Sequence, residues 1–293
     1  MHAIVFAFFD SREELSRAAM RQQVELCLAA GVAGIAALGL ATEVAKLSFA
    51  ERCRVIDWTA EDVNRRSTLG FTIGGQSVGE QVALLRVAER AGAQWLVLQP
   101  PQVGSYPAEE YIAFFSRVMA ETELPCAIQN APQYLGRGLA DRDIDALRRR
   151  HANFRIIKAE ATANDAARLK ALAGPDFRVF NGRGGLEMIE CLEAGCDGFL
   201  LAPDLADYGA RVMQLFDAGA RAAALALHQE TLPAIGFAMR SLEHLVCYGK
   251  RLFAARAGLA VFDRAPALRP EEAELALLAQ MADRLGPFPA FTA

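Results

Sequence analysis

Two side chains that could carry out chemistry lie two residues apart at the end of a strongly β-forming run. Lys158 ends the run 154–158, and Glu160 follows it closely. Strand side chains alternate between two faces, so both are predicted to point the same way. Burial disfavours the ammonium form of a lysine, and a neutral amine can attack a ketone to form a Schiff base. A carboxylate beside that imine could move protons on the substrate carbons, or could simply neutralise Lys158.

Two other predicted strand ends carry amide side chains. Gln129 ends an apolar run, and its amide donates and accepts hydrogen bonds but does not exchange a proton usefully near neutral pH. We expect Gln129 either to orient a substrate or to serve as a polar cap at the strand end. Asn181 and Gly182 begin a glycine-rich turn after another strand, which either binds substrate or is only a tight turn.

A segment of small residues follows the second predicted strand. Gly39 would let the backbone come close to a ligand. The backbone N–H groups of Leu40, Ala41 and Thr42 begin a helical turn there, and such groups can hold a carboxylate. This segment is therefore predicted to bind the acidic end of a substrate.

Short apolar runs alternate with longer amphipathic runs along the first three-quarters of the chain. The short runs are apolar on both faces, which is typical of parallel strands buried on both sides. Amphipathic helical patterns separate them. The predicted strands are Ala3–Phe9, Ala33–Leu38, Leu69–Ile73, Trp95–Gln99, Cys126–Gln129, Phe154–Lys158, Arg178–Phe180 and Gly198–Leu201.

Eight strands, each followed by a helix, predict an α/β fold of the (β/α)8 barrel type. A doubly wound open sheet is the alternative, but no Gly-x-Gly-x-x-Gly follows the first strand. We expect residues 1–220 to form the barrel with the active site and residues 221–293 to form a helical domain. The three helices predicted in that domain are Arg221–Cys247, Lys250–Ala257 and Pro270–Leu285.

Composition excludes several classes of protein. The chain has 293 residues, of which 53% are hydrophobic, so it can bury a large core without disulfides. Acidic residues outnumber basic ones, 35 to 31, which disfavours a nucleic-acid partner. The six cysteines are expected to be free thiols, and no run is long and apolar enough to cross a membrane. We expect a cytoplasmic protein that binds neither nucleic acid nor membrane.

The four histidines have no metal-ligand spacing, and no metal site is predicted. Neither a Gly-x-Ser-x-Gly nucleophile motif nor a phosphate-binding Walker loop occurs in the sequence. Serine-histidine catalysis and metal-dependent aldol chemistry are therefore disfavoured.

These segments together resemble the dihydrodipicolinate synthase / N-acetylneuraminate lyase family. The run Ile-Ile-Lys-Ala-Glu at 156–160 is similar to the family's lysine strand, and Gly-Leu-Ala-Thr-Glu at 39–43 stands where the family carries Gly-Thr-Thr-Gly-Glu. Gln-Asn-Ala-Pro at 129–132 stands in place of Tyr-Asn-x-Pro. The resemblance implies a (β/α)8 barrel with C-terminal helices and an imine between Lys158 and a small 2-keto acid. It also implies no metal or organic cofactor and a homo-oligomer, a tetramer or a dimer.

The departures from the family pattern bear on the reaction. Gln129 replaces the family's proton-shuttling tyrosine, and Leu40 and Ala41 replace its paired hydroxyl residues. The arginine that holds the second substrate in the synthases falls near Tyr134. Dihydrodipicolinate synthase activity is therefore not expected. A glutamine at this position and Lys-x-Glu on the lysine strand resemble the subset that dehydrates 2-keto-3-deoxy sugar acids, such as L-2-keto-3-deoxyarabonate dehydratase.

Three functions remain open at this point. The leading hypothesis is a Schiff-base dehydratase in which Lys158 forms the imine, Glu160 moves the protons and Gln129 orients the substrate. The second is a class I aldolase that releases pyruvate. The third is a barrel that binds 2-keto acids without catalysis.

Overall fold

The computed structural model of the chain describes residues 1–174 and 176–291. Eight parallel strands close into one barrel in sequence order, with the first strand paired to both the second and the eighth. This confirms the predicted (β/α)8 fold. The strands are β1 His2–Ile4, β2 Gly34–Ala37, β3 Thr68–Ile73, β4 Trp95–Leu98, β5 Cys126–Asn130, β6 Phe154–Ala159, β7 Arg178–Asn181 and β8 Gly198–Leu201.

Helices follow the strands and cover the outside of the barrel, as a parallel sheet requires. Serine and threonine side chains begin several of them, because their oxygens accept the otherwise unpaired N–H groups of the first turn. Ser48 and Glu51 form a complete capping box at the start of α2. The barrel helices are α1 Arg17–Ala29, α2 Phe49–Val63, α3 Val78–Arg90, α4 Ala108–Met119, α5 Pro132–Leu135, α6 Asp141–Arg150, α7 Ala163–Ala173, α8 Met188–Glu193 and α9 Ala206–Asp217.

The first strand is shorter than its apolar run predicts. Strand β1 ends at Ile4, although the side chains from Val5 to Phe9 are buried. The backbone N–H and C=O of Phe6 bond instead to the side chain of Gln23, at 2.8 and 3.0 Å. A glutamine amide on α1 thus satisfies the groups that a neighbouring strand would have paired, and the prediction of a strand to Phe9 was wrong.

The helices after the barrel also differ from the prediction. The helix expected over Arg221–Cys247 ends at Ala238, and Ser241 begins a new one by accepting a hydrogen bond from the N–H of His244 at 3.1 Å. A π-helical segment, Leu245–Gly249, joins this short helix to the next. The C-terminal helices are α10 Arg221–Ala238, α11 Leu242–His244, α12 Lys250–Ala257 and α13 Glu272–Leu285.

Two expectations from the sequence concern free cysteines and membrane-crossing segments. All six cysteines are free, and five of them are buried. Within residues 1–174 and 176–291, no helix is long and apolar enough to cross a bilayer.

Candidate active site

The carboxyl ends of the strands open into a cleft of about 810 Å³, part of it open to solvent. In (β/α)8 barrels this end carries the chemistry. The walls come from the loops after the strands and from the C-terminal helices. Polar side chains in the lining are Tyr134, Lys158, Glu160, Arg183, Asp204, Tyr208, His228 and Thr231.

Lys158 lies near the carboxyl end of β6, and its side chain faces the cleft. It is only 4% exposed. Apolar residues on both sides of the strand bury β6 in the barrel wall, which fixes the lysine at the base of the cleft. The register places Gln129 of β5 and Phe180 of β7 level with it. Lys158 is therefore held in one place and shielded from bulk water.

Glu160 lies beside Lys158, as strand alternation predicts. Its Oε1 is 3.2 Å from Lys158 Nζ, and its Oε2 accepts a hydrogen bond from the Arg183 N–H at 2.6 Å. A Cβ at Gly182 would lie 2.2 Å from Glu160 Oε2, so only glycine leaves room for the carboxylate. The loop after β7 therefore holds one oxygen of Glu160 and leaves the other beside the amine.

Gln129 is 1% exposed, and its Oε1 accepts a hydrogen bond from Gln99 Nε2 at 2.7 Å. Its own Nε2 has no partner among the described residues. The side chain is level with Lys158 but does not belong to the described lining of the cleft. The bond from Gln99 thus holds the Gln129 side chain in an orientation that leaves the Nε2 of Gln129 without a described acceptor. The role of Gln129 in orienting a substrate stays a prediction.

The segment after β2 forms a single 3-10 turn, Leu40–Thr42. Leu40 and Ala41 line the cleft, whereas the Thr42 hydroxyl donates to the Val5 carbonyl at 2.6 Å and is fully buried. The Thr42 N–H bonds to the Gly39 carbonyl inside the turn. Of the three predicted amides, those of Leu40 and Ala41 therefore remain at the open end of the turn.

Gly39 packs closely against β1, and its contact with a substrate stays a prediction. A Cβ at this position would lie 2.8 Å from the Ile4 side chain. The glycine is needed for packing against β1, and this contact explains it without a ligand.

Asn181 and Gly182 shape the loop after β7. The Asn181 amide donates to the Ala161 carbonyl at 2.9 Å and accepts from the Ala161 and Gly182 N–H groups at 3.0 and 2.8 Å. These bonds tie the loops after β6 and β7 together. Asn181 thereby positions Gly182, which lines the cleft, and direct contact of either residue with a substrate stays a prediction.

Tyr134 was left without a role by the sequence, and it lies in the cleft wall beside Glu160. It is carried by α5, and the neighbouring Gln133 side chain donates to the Glu160 carbonyl. Burial, with a smaller contribution from the negative charge of Glu160, raises the pKa of the Tyr134 phenol. The hydroxyl therefore stays protonated near neutral pH and can act as a hydrogen-bond donor in the cleft.

Two further polar side chains reach the cleft from α10, which sequence reasoning had placed outside the site. The His228 ring is hydrogen-bonded to the Gly185 carbonyl at 2.9 Å, and Thr231 donates to the His228 carbonyl at 2.7 Å. Both are buried. No sequence signal marks them, because their place depends on how α10 packs across the β7 loop.

The four lysines of the chain are all engaged with carboxylates. Besides Lys158, Lys170 contacts Asp197 at 2.6 Å. Lys46 contacts Glu43 at 2.5 Å, and Lys250 bonds to the other oxygen of the same carboxylate. Lys250 is buried as well, and Lys158 differs from the other three because it lines the cleft.

The arrangement supplies a buried amine, a carboxylate in contact with it and a phenol nearby. Such a set can form an imine with a keto group and move protons on the adjacent carbons. No cluster of three or more metal-ligating side chains occurs among the described residues.

Comparison with known proteins places the chain in a family. A model of the dihydrodipicolinate synthetase family matches residues 1–281. A 4-hydroxy-tetrahydrodipicolinate synthase from Methanoculleus marisnigri is 28% identical over 238 residues, covering 79% of this chain and 80% of the relative.

Solved structures are similar over nearly the whole chain. A dihydrodipicolinate synthase from Agrobacterium tumefaciens has a TM-score of 0.87 at 25% identity and covers 97% of each chain. A prophage protein of the dihydrodipicolinic acid synthase family from E. coli K12, in complex with pyruvate, has a TM-score of 0.88 at 20% identity. That match covers 97% of this chain and 98% of the other, and at this identity it shows the fold alone.

Proposed function

Because the chain belongs to the dihydrodipicolinate synthetase family, we propose that it is a Schiff-base lyase that dehydrates a 2-keto-3-deoxy sugar acid of the L-2-keto-3-deoxyarabonate type. The observation that carries the proposal is the 3.2 Å contact between Lys158 Nζ and Glu160 Oε1 at the base of the cleft. Gln129, in place of a tyrosine, favours dehydration over the synthase reaction. The 2-keto acid class is supported by the pyruvate complex of a structural relative.

Lys158 attacks the C2 carbonyl of the substrate, and water leaves as the imine forms. The carboxylate of Glu160 is placed to take the proton that the amine must lose before it attacks, and this proton leaves with the C2 oxygen as water, which returns Glu160 to the carboxylate form. It is also placed to remove a proton from C3, which converts the imine into an enamine. The enamine then expels the C4 hydroxyl, which leaves as water once it is protonated.

Protonation of the leaving hydroxyl requires an acid at the cleft wall. Glu160 carries the C3 proton at that stage, and the Tyr134 phenol lies beside it. We assign Glu160 as the base and then the acid, with Tyr134 as a hydrogen-bond donor to the departing oxygen. The backbone N–H groups of Leu40 and Ala41 hold the substrate carboxylate in this scheme.

Borohydride trapping tests the imine. The protein is incubated with pyruvate or with L-2-keto-3-deoxyarabonate, reduced, and digested for peptide mass analysis. We expect an adduct on Lys158 with both ligands, none in Lys158→Met, and an unchanged adduct in the control Lys170→Met. No adduct with either ligand would overturn the imine chemistry and favour a barrel that only binds 2-keto acids.

Product analysis then separates dehydration from aldol cleavage. A dehydratase converts L-2-keto-3-deoxyarabonate into a product lighter by one water and releases no pyruvate. An aldolase releases pyruvate, which lactate dehydrogenase detects by oxidation of NADH. Pyruvate release at the rate of substrate loss would replace our proposal by the aldolase reaction.

A further inference from the structure

A second carboxyl group lies in the cleft and takes no part in the scheme above. Asp204 belongs to the 3-10 turn Pro203–Leu205 directly after β8, at the same end of the barrel as Lys158. It lines the cleft together with Lys158 and Glu160 and is 7% exposed. Its place near the end of a barrel strand is one where functional side chains are found.

The basic side chain nearest to this turn is already occupied. Arg256 forms a buried ion pair with Asp207, with Nη2–Oδ2 at 2.5 Å and Nη1–Oδ1 at 3.2 Å. Its only hydrogen bond to Asp204 goes from Nη1 to the backbone carbonyl, at 3.1 Å, and none goes to the carboxyl. Within the described residues, the Asp204 carboxyl has no salt-bridge partner, and burial raises its pKa to about 7.

Apolar side chains line the cleft together with Asp204, among them Leu201, Leu205 and Leu245. Burial has the larger effect on the pKa of the Asp204 carboxyl, and the charges of Arg256 and Asp207 also act on it. The π-helical segment lies against the carboxyl, since a Cβ at Gly249 would be 3.5 Å from Asp204 Oδ2. A carboxyl in an apolar wall destabilises the fold unless it is paired. A role in binding explains why this carboxyl is present without a salt-bridge partner among the described residues.

We propose that Asp204 determines substrate specificity by accepting hydrogen bonds from hydroxyl groups on the part of the 2-keto acid that lies beyond the reacting carbons. A hydroxyl is the complementary neutral group, and hydrogen bonds to a charged acceptor are among the stronger ones. An apolar tail would leave the carboxylate unpaired, and a tail ending in a second carboxylate would be repelled. The inference rests on the proposed function for the substrate class, and it adds the residue that selects a hydroxylated, uncharged tail.

Three 2-keto acids with five carbons test this selectivity. L-2-keto-3-deoxyarabonate carries one hydroxyl beyond the reacting carbons, on C5, 2-oxopentanoate carries none, and 2-oxoglutarate ends in a carboxylate. Dissociation constants are measured by calorimetry at pH 8 in proteins that also carry Lys158→Met, so that no imine forms and no substrate is consumed. The wild-type residue at position 204 is compared with Asp204→Asn in this background. Glu243→Gln is the matched control, because Glu243 is a carboxylate in a neighbouring recess outside the described lining of the cleft.

We expect Asp204→Asn to bind L-2-keto-3-deoxyarabonate about tenfold more weakly, because a charged acceptor becomes neutral. The variant should bind 2-oxoglutarate more tightly and 2-oxopentanoate within about twofold of the protein that keeps Asp204. Glu243→Gln should change none of the three. If Asp204→Asn does not fold, Asp204→Leu, which matches the apolar wall, takes its place with the same expectation.

Two results would overturn the role of Asp204. One is a protein with Asp204 that binds the hydroxylated acid no better than 2-oxopentanoate. The other is a variant in which all three constants change by the same factor or do not change. These dissociation constants do not depend on imine formation. If the proposed imine chemistry is wrong, the borohydride experiment shows it by the absence of an adduct on Lys158.

Discussion

At the scale of single residues, the two carboxyl groups that line the cleft, those of Glu160 and Asp204, have different surroundings. Glu160 touches the amine, whereas Asp204 lies in an apolar wall without a salt-bridge partner among the described residues. Strand alternation predicted the pairing of Lys158 with Glu160. The sequence named Tyr134 only as the position where the synthases carry an arginine, and it gave Asp204 no role, because a residue's place in a cleft depends on how separate elements pack together.

The role of Glu160 as base predicts a separation between imine formation and turnover. Glu160→Gln keeps the size of the side chain and one acceptor oxygen, but it cannot accept from both Lys158 and the Arg183 N–H, and it cannot take a proton. We expect borohydride trapping at Lys158 to persist after long incubation, because the imine still forms at equilibrium, while turnover falls by about 100-fold or more. Glu193→Gln, at the exposed end of α8, is the control and should keep both. Unchanged turnover in Glu160→Gln would remove Glu160 from the mechanism.

The raised pKa of Asp204 predicts that this residue destabilises the fold at neutral and alkaline pH. Between pH 3.8 and about 7 the folded protein retains a proton that the unfolded chain loses, so the free energy of unfolding falls as pH rises. The full effect corresponds to at most about 4 kcal/mol above pH 7.

Asp204→Asn should therefore be more stable than the wild type at pH 8 and similar to it near pH 4. Urea unfolding at the two pH values measures the difference. An advantage of the variant that is equal at both pH values would contradict the assignment of this titration to Asp204.

At the scale of elements, the loop after β7 holds the Glu160 carboxylate, and a glycine in this loop leaves room for it. In Gly182→Ala the new Cβ would lie 2.2 Å from Glu160 Oε2, so the carboxylate must move away from Lys158. We expect turnover to fall toward the level of Glu160→Gln while borohydride trapping persists. Gly79→Ala on α3 is the control, since its Cβ would meet no atom within 4 Å.

Wild-type turnover in Gly182→Ala would contradict this prediction, because it would show that the Glu160 carboxylate can move away from Lys158 without loss of activity. The contact between this loop and Glu160 could not be predicted, although the glycine-rich turn itself was recognised. The distance between Gly182 and Glu160 along the sequence does not indicate that a Cβ at position 182 would clash with the Glu160 carboxylate.

Most elements could be predicted because burial on both faces leaves a clear apolar run for each strand. The exceptions have a common cause. The run after β1 is buried but is satisfied by the Gln23 side chain, and the helix after Ala238 stops where Ser241 supplies a new cap. In both cases a polar side chain forms a hydrogen bond with the backbone in place of the regular strand or helix bond. The pattern of hydrophobic residues does not predict such a bond.

At the scale of the whole molecule, a buried ion pair joins the C-terminal helices to the mouth of the barrel. Lys250 of α12 is fully buried and bonds to Glu43, which follows β2, and to the Ala7 carbonyl at 3.1 Å. Burial lowers the pKa of Lys250, and the charge of Glu43 opposes that effect. The pair fixes the helices that form one wall of the cleft.

Removing one partner of this pair should destabilise the protein strongly. We expect Lys250→Met to lower the free energy of unfolding by about 3 kcal/mol, because Glu43 then keeps only its contact with Lys46. Lys170→Met, which breaks a partly exposed pair with Asp197, should cost less than about 1 kcal/mol. Urea unfolding measures both. Equal losses in the two variants would show that the buried pair does not stabilise the structure.

The engagement of every lysine with a carboxylate has a practical consequence for handling the protein. Reagents that acylate or cross-link amines need an unprotonated, accessible amino group, and ion pairing or burial withholds all four side chains from them. Tagging and surface coupling through amines should therefore proceed slowly at the side chains. Chemistry aimed at carboxylates or at the many arginines offers better points of attachment.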